Sequence, residues 1–374
     1  MISKTTLESH SGSNTKALVH ERGKPCISII VPTHRTGQDR QSDHLEIQRA
    51  ITAANESLLY KPGNLSSALN SLFRDIDFNK SKEGVGIFVS PGIKKIINFP
   101  FPVTKSIAVQ ECFHLHDLIY MENYETVYYL FEISKKEIHL FKGMMDQLEE
   151  IKDENFPKEI TDNYEYNKPS RSNSGSGSAH VKEVERDKSI LNQVRIKRIF
   201  RAIDKSLAKY IIEKDIPLLL CGPTKDVSIY KSVTGHPENI ITSIGDNYKN
   251  TSIHDLEALA WLHIRSFIDK EKLKLVSEFK EKLGEGLGVF GIEKIWTATN
   301  EGRGKILLVE KDYAKKAFIA KDNRLFFGHP GEETRHCDIV DEIINTVLEK
   351  NGKVIIVEKD ILKDYEAMAL ITRY

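Results

Sequence analysis

Two neighbouring segments of the sequence carry residues that suit contact with a phosphate-bearing partner. The first is a serine- and glycine-rich tract over 169–180, which contains Ser174, Gly175, Ser176, Gly177, Ser178 and His180. Its glycines allow a close backbone approach, and its hydroxyls can meet phosphate or ribose without adding charge. Because the tract has few apolar residues to bury, it is predicted to be a mobile projecting loop. A flexible interdomain linker is the alternative.

A basic stripe follows this tract on a predicted helix that runs from about Val181 to Glu213. Its apolar residues share one face, which consists of Ile196, Phe200, Ile203, Leu207 and Tyr210. The opposite face carries Arg198, Arg201, Lys205 and Lys209, while Asp204 is predicted to point away from it. A basic stripe that leads away from a mobile loop is suited to following phosphates. An ordinary solvated helix face remains the alternative.

Other chemical motifs are weak or missing. The string Gly286–Gly291 matches a dinucleotide fingerprint, but it follows a helix-like stretch instead of a strand, so it is predicted to be a helix end and turn. His114, His116 and the run 336–338 lack the ligand spacing of known metal sites and are predicted to be packed or solvated. No Walker A loop, HExxH, nucleophile elbow or paired-carboxylate motif is present. We therefore predict neither a metal nor a cofactor.

Composition limits the classes of function. The 374 residues contain 54 Lys and Arg against 54 Asp and Glu, so any nucleic-acid surface must be local. No apolar run approaches the roughly 18 residues that would cross a bilayer, and no secretory signal is visible. The four cysteines are far apart in the sequence, which suits buried free thiols in a reducing cytosol. A cytoplasmic, monomeric protein that does not bind membranes is predicted.

Alternating apolar runs and helical patterns predict an α/β protein of three small mixed domains. The predicted boundaries are a disordered lead-in at 1–24, an N-terminal domain at 25–110, a middle domain at 111–269 and a C-terminal layered α/β/α sandwich at 270–374. Strands are predicted at 26–31, 85–89, 94–98, 126–133, 137–142, 217–222, 305–309, 316–320 and 353–357. Helices are predicted at 44–59, 181–213, 270–283, 291–298 and 337–350, with a helical turn at 227–232 in which Tyr230 is packed.

Several of these segments resemble one superfamily, that of the archaeal and eukaryotic class-I release factors and Pelota. The segments 288–295, 305–309, 354–357 and 365–374 are similar to the third domain of those factors. The segments 28–35, 126–143 and 217–230 are similar to the bacterial branch, the baeRF proteins. The resemblance covers nearly the whole chain after residue 25, and the order and spacing of the segments carry it.

In that superfamily the middle-domain loop reaches the peptidyl-transferase centre, and release factors carry Gly-Gly-Gln at its tip. Here the loop reads Gly175-Ser-Gly-Ser178, and the sole glutamine after Gln147 is Gln193, without a neighbouring glycine. Pelota also lacks the catalytic element, as does Balon, a bacterial member that occupies empty A sites during dormancy. The resemblance therefore implies a non-catalytic factor that binds the A site of idle or stalled ribosomes, in hibernation or rescue.

The resemblance also assigns partners. Thr33, His34 and Arg35 become candidates for contact with the decoding region, while the serine-glycine loop and the basic stripe would face large-subunit RNA. The third domain would meet a translational GTPase such as elongation factor Tu. Two other functions stay open. One is a peptidyl-tRNA hydrolase, in which backbone N–H groups of the loop polarise the ester and His180 acts as the base. The other is an RNA- or protein-binding module with no ribosomal role.

Overall fold

The computed structural model describes residues 11–21, 25–34, 40–58, 65–78, 82–134, 136–160, 179–212, 215–245, 252–328 and 335–374. By its internal contacts the chain divides into two compact units. We call Thr126–Ile268 the middle unit, and Glu8–Glu125 with Asp269–Tyr374 the two-segment unit. Within the described residues, no helix is long and apolar enough to cross a membrane.

The first segment of the two-segment unit forms an antiparallel sheet in the order β3-β2-β1-β4. Its elements are α1 (Ser11–Val19), β1 (Cys26–Pro32), α2 (Arg40–Leu58), α3 (Leu65–Asp75), β2 (Gly84–Val89), β3 (Lys94–Phe99), β4 (Ser106–Gln110) and α4 (His116–Tyr124). The apolar side chains of β1 and β2 form a core with those of α2 and α3. The three strands predicted in this segment are confirmed.

All four helices of this segment differ from the sequence prediction, and α4 was not predicted at all. Helix α1 lies within the predicted disordered lead-in, because its last residues Leu18 and Val19 are buried. Helix α2 begins at Arg40, four residues before the predicted start, and its Asp43 is buried. Helix α3 was not predicted, although its residues Leu65, Ala68, Leu69 and Leu72 have helical spacing and are buried.

The middle unit is built on a mixed sheet in the order β10-β9-β5-β6-β7, with β8 paired to β6. Its elements are β5 (Val127–Ile133), β6 (Glu137–Met144), β7 (Gln147–Glu150), β8 (Lys158–Glu159), α5 (Ala179–Leu207), β9 (Leu218–Gly222), α6 (Thr224–Lys231) and β10 (Ile240–Gly245). Strands β10, β9 and β5 run parallel, whereas β5 and β6 form the predicted antiparallel hairpin. Helix α7 (Ile253–Gly284) follows and includes the predicted helix 270–283.

The C-terminal segment contains two sheets, in the orders β11-β17-β12-β16 and β14-β13-β15. Its elements are β11 (Gly288–Phe290), α8 (Ile292–Asn300), β12 (Gly304–Glu310), β13 (Lys316–Ile319), β14 (Leu325–Phe326), β15 (Arg335–Asp338), α9 (Ile339–Glu349), β16 (Lys353–Val357) and β17 (Met368–Thr372). The predicted strands at 305–309, 316–320 and 353–357 are confirmed. The α/β class predicted from the sequence is therefore confirmed.

Two local predictions in the C-terminal segment have different outcomes. Gly286 follows α7 with a φ of 77° and donates its N–H to the Leu283 carbonyl at 3.2 Å, so the predicted helix end and turn is confirmed. The start of the helix predicted at 337–350 is wrong, because Cys337 pairs with Ala317 in a strand. The side chain of Asp338 accepts a hydrogen bond from the Val340 N–H at 2.9 Å and caps α9.

Candidate nucleic-acid interface

Helix α5 is anchored to the sheet of the middle unit by its apolar face. Phe200, Ile203 and Leu207 are buried in one core with Leu218 and Leu220 of β9. The same core includes the predicted helix-face residues Ile196 and Tyr210, which are partly buried. The predicted apolar face is therefore confirmed, and its burial fixes which side chains of α5 point outward.

The basic side chains of α5 point outward. Arg198, Arg201 and Lys205 are exposed, and none of them forms an ion pair with another described residue. At a rise of about 1.5 Å per residue, Arg198 and Lys205 lie roughly 10 Å apart along the helix axis. Such a row of unpaired cations can meet successive phosphates of a nucleic-acid strand.

Asp204 is the one acidic residue between Gln193 and Lys209, and it is buried. Its carboxylate accepts hydrogen bonds from the Tyr230 hydroxyl at 2.7 Å, the Thr234 hydroxyl at 2.7 Å and the Gly235 N–H at 2.8 Å. Burial raises the pKa of the Tyr230 phenol. The predictions that Asp204 points away from the stripe and that Tyr230 is packed are therefore confirmed, and no exposed acid interrupts the basic face.

Lys209 differs from the other three basic residues. Helix α5 ends at Leu207, so the predicted helix end at Glu213 is wrong and Lys209 lies in the turn that follows. Its Nζ donates to Glu154 Oε1 at 3.3 Å and to Asn155 Oδ1 at 3.2 Å. The adjacent Asp153 accepts a hydrogen bond from Tyr210, which lowers the pKa of the Asp153 carboxyl. Lys209 therefore has an acidic environment, unlike Arg198, Arg201 and Lys205, which form no ion pair with a described residue.

The serine-glycine tract can be placed only in part. Ser174, Gly175, Ser176, Gly177 and Ser178 lie outside the described residues, as does Arg35. His180 is the second residue of α5, and its side chain is not among those described. The tract therefore precedes directly the helix that carries the basic side chains.

Thr33 and His34 follow β1, and each makes specific hydrogen bonds within the first segment. Thr33 is buried, its N–H donates to the Glu83 carbonyl at 3.1 Å and its hydroxyl donates to the Lys82 carbonyl at 3.1 Å. The side chain of His34 is 48 % exposed, and its Nδ1 lies 2.8 Å from Asp43 Oδ1. This contact between ring and carboxylate holds the His34 ring in one orientation.

A second polar cluster lies in the two-segment unit. The Asp341 carboxylate accepts from Gln110 Nε2 at 2.8 Å, from His114 Nδ1 at 2.9 Å and from His116 Nδ1 at 3.2 Å. We call His114, His116 and Asp341 the histidine–aspartate cluster. The sequence analysis considered the two histidines but did not associate them with Asp341, which is 227 and 225 positions away from them.

The charges of this cluster are strongly coupled. Burial would lower the pKa of His114, but the charge of Asp341 and its hydrogen bond raise that pKa to about 9. Burial would likewise raise the pKa of Asp341, but the two histidines hold it well below its usual range. Burial raises the pKa values of the neighbouring carboxyls Asp117 and Asp338. The cluster is thus a buried ion pair between the two segments of its unit.

The middle of the chain matches one known protein family. Residues 127–303 match the family model described as bacterial archaeo-eukaryotic release factor family 3. This match agrees, over that part of the chain, with the resemblance to the bacterial branch, the baeRF proteins. No curated protein matches the chain.

Three of the solved structures that are similar to this chain are two Pelota proteins and Dom34. Pelota of Archaeoglobus fulgidus is 13 % identical, with 78 % of this chain and 84 % of that chain covered and a TM-score of 0.36. Dom34 of S. cerevisiae, described as a translation termination-like factor that interacts with Hbs1, is 11 % identical over 77 % and 73 % of the chains, with a TM-score of 0.37. A ribosome-bound archaeal Pelota is 15 % identical over 75 % and 72 %, with a TM-score of 0.38.

Proposed function

We propose that this chain is a translation factor that occupies the A site of idle or stalled ribosomes, in hibernation or rescue, without hydrolysing peptidyl-tRNA. The family match over residues 127–303 supports a role related to release factors. The observation that carries the proposal within this matched segment is the exposed basic face of α5, formed by Arg198, Arg201 and Lys205. Ribosomal RNA is the partner whose chemistry this face fits, because its phosphates are dense and regularly spaced.

The sequence supports a binding role over a catalytic one. No Gly-Gly-Gln occurs anywhere in the chain. Gln193, the sole glutamine after Gln147, lies within α5 between Asn192 and Val194, away from any glycine. A glutamine held in a regular helix is not presented on a flexible backbone, so it does not supply the water-positioning element of a release factor.

The remaining contacts of the proposed complex extend over both units. The loop Ser174–Ser178, His180 and Lys209 would face large-subunit RNA beside the α5 face. His34 and Arg35 would approach the decoding region, where Asp43 orients the His34 ring and the hydrogen bonds of the buried Thr33 hold the backbone beside it. The C-terminal segment would contact a translational GTPase such as elongation factor Tu.

Sedimentation tests this proposal. The purified protein should co-sediment with 70S ribosomes whose A site is empty, and an A-site ligand should displace it. Replacement of Arg198, Arg201 and Lys205 by Gln should reduce the slope of log affinity against log salt by about 2 to 3, since each phosphate contact contributes roughly 0.7 to 0.9. Between 50 and 200 mM salt, the wild type should therefore lose about 16 to 64 times more affinity than the variant does.

A control variant tests whether the change in salt slope depends on the basic face of α5 or only on the total charge of the protein. Lys136, Lys158 and Lys225 are also exposed in the middle unit, and their replacement by Gln removes the same total charge. That variant should retain the wild-type salt slope. Equal slopes for the wild type and the α5 variant would refute the role of the face, and protein that stays free of ribosomes at low salt would refute the proposed function.

A further inference from the structure

The histidine–aspartate cluster brings three metal-ligating groups together. One ligand atom from each of His114, His116 and Asp341 can be chosen so that all lie within 4.8 Å of one another, and no other such group occurs in the described part of the chain. His114 Nδ1 lies 2.9 Å and 3.0 Å from the two carboxylate oxygens of Asp341, and His116 Nδ1 lies 3.2 Å from Oδ1. Neighbouring ligands of a tetrahedral zinc ion are about 3.3 Å apart, so a small outward movement would admit an ion.

His116 is the less exposed of the two histidines in the cluster. Its side chain is only 6 % exposed, yet its Nε2 is buried without a hydrogen-bond partner among the described residues. A buried polar atom of this kind is costly to leave unpaired. To bind an ion beside Asp341, His116 would carry its proton on Nε2 and offer the lone pair of Nδ1, the nitrogen that faces the carboxylate.

Asp341 is suited to hold such a site in place. Its side chain is 1 % exposed, and Gln110 Nε2 donates to its Oδ2 at 2.8 Å, so the carboxylate is already oriented. His114 remains 18 % exposed at its side chain, which leaves one side of the cluster open to solvent. An ion could enter on that side, and a water could complete its coordination there.

We propose that His114, His116 and Asp341 bind one divalent transition-metal ion, of which zinc is the probe. Two imidazoles and a carboxylate suit zinc better than calcium or magnesium, which take mainly oxygen ligands. His114 lies between β4 and α4, His116 begins α4 and Asp341 lies on α9, so the ion would join the two segments of one unit. Its effect would be to stabilise the folded chain. The sequence analysis predicted no metal, so this site differs from that prediction. The site does not depend on the proposed ribosomal function.

Metal content and thermal stability test the site on the full chain. Protein stripped with a chelator and then dialysed against zinc chloride should hold one zinc per chain by mass spectrometry, and zinc should raise its melting temperature. His116→Ala and Asp341→Asn should each lower zinc affinity at least 10-fold. His139→Ala is the matched control, because His139 lies in the other unit and also contacts a carboxylate, with its Nδ1 2.7 Å from Glu150 Oε1. The His139→Ala protein should retain the zinc ion.

X-ray absorption of the zinc-loaded wild type gives a result even where a variant does not fold. The spectrum should show nitrogen and oxygen ligands, including two imidazoles, and no sulfur. Absence of stoichiometric zinc in the wild type, sulfur ligation, or full zinc retention by folded His116→Ala protein would each overturn the site. Ribosome binding is not measured in any of these assays, so failure of the metal site and failure of the A-site proposal are separate results.

Discussion

Replacement of Asp204 by Ala should destabilise the middle unit by about 4 kcal/mol. The substitution removes the acceptor of three hydrogen bonds, donated by Tyr230, Thr234 and Gly235. The Tyr230 hydroxyl is buried and would find no water, which costs about 2 kcal/mol. Thr234 and Gly235 are partly exposed and can turn to solvent, so about 1 kcal/mol is expected from each.

A double-mutant cycle isolates the buried bond. Tyr230→Phe should cost about 2 kcal/mol, and the double variant should be less destabilised than the sum of the two single variants by about 2 kcal/mol. Hydrogen exchange of the amides in β5 and β9 measures this locally, because both strands lie in the middle unit. Strict additivity, or a loss below 1 kcal/mol for Asp204→Ala, would refute the inference that the carboxylate is held by these donors.

Two further predictions concern pH and catalysis. Burial, with the nearby Glu125 charge, raises the pKa of Glu122 to about 7, so the folded state holds a proton that the unfolded state releases near pH 4.5. The free energy of unfolding should therefore fall as the pH rises from 4.5 to 7. At pH 8, Glu122→Gln should be about 2 to 3 kcal/mol more stable than the wild type, whereas at pH 4 it should not be more stable. Identical melting profiles of the two proteins across this pH range would contradict the prediction. The purified protein should release no peptide from ribosomes that carry peptidyl-tRNA, whereas measurable release that His180→Ala reduces by about 100-fold would indicate the hydrolase instead.

Local patterns explain most of what the sequence predicted correctly. β-branched runs such as Lys353–Val357 form strands because their side chains are buried against neighbouring elements, and the apolar spacing in α5 fixes its buried face. The end of α5 was placed six residues too late, because the basic and apolar pattern continues through Lys209 and Tyr210 into the turn. Helix ends depend on tertiary contacts that periodicity does not contain.

The polar contacts were much less predictable than the elements. The helical spacing of the residues in α5 places Asp204 away from the basic face. Its partners Thr234 and Gly235, however, lie about 30 positions further along the chain. Asp341 could not be associated with His114, because no pattern in one sequence relates residues 227 positions apart. Clusters of this kind result from topology, whereas sequence motifs report only ligands that lie close together in the chain.

The two-segment unit has a consequence for the order of folding during synthesis. Gln110 and His114 hydrogen-bond to Asp341, and Asn123 Nδ2 donates to the Val354 carbonyl at 3.1 Å, so the first segment is completed by residues made much later. All of Thr126–Ile268 is translated in between. At about 5 to 20 residues per second, the polar side chains of the first segment wait roughly 10 to 45 s for these partners. The middle unit has no such delay, so the nascent chain should fold from its centre outward.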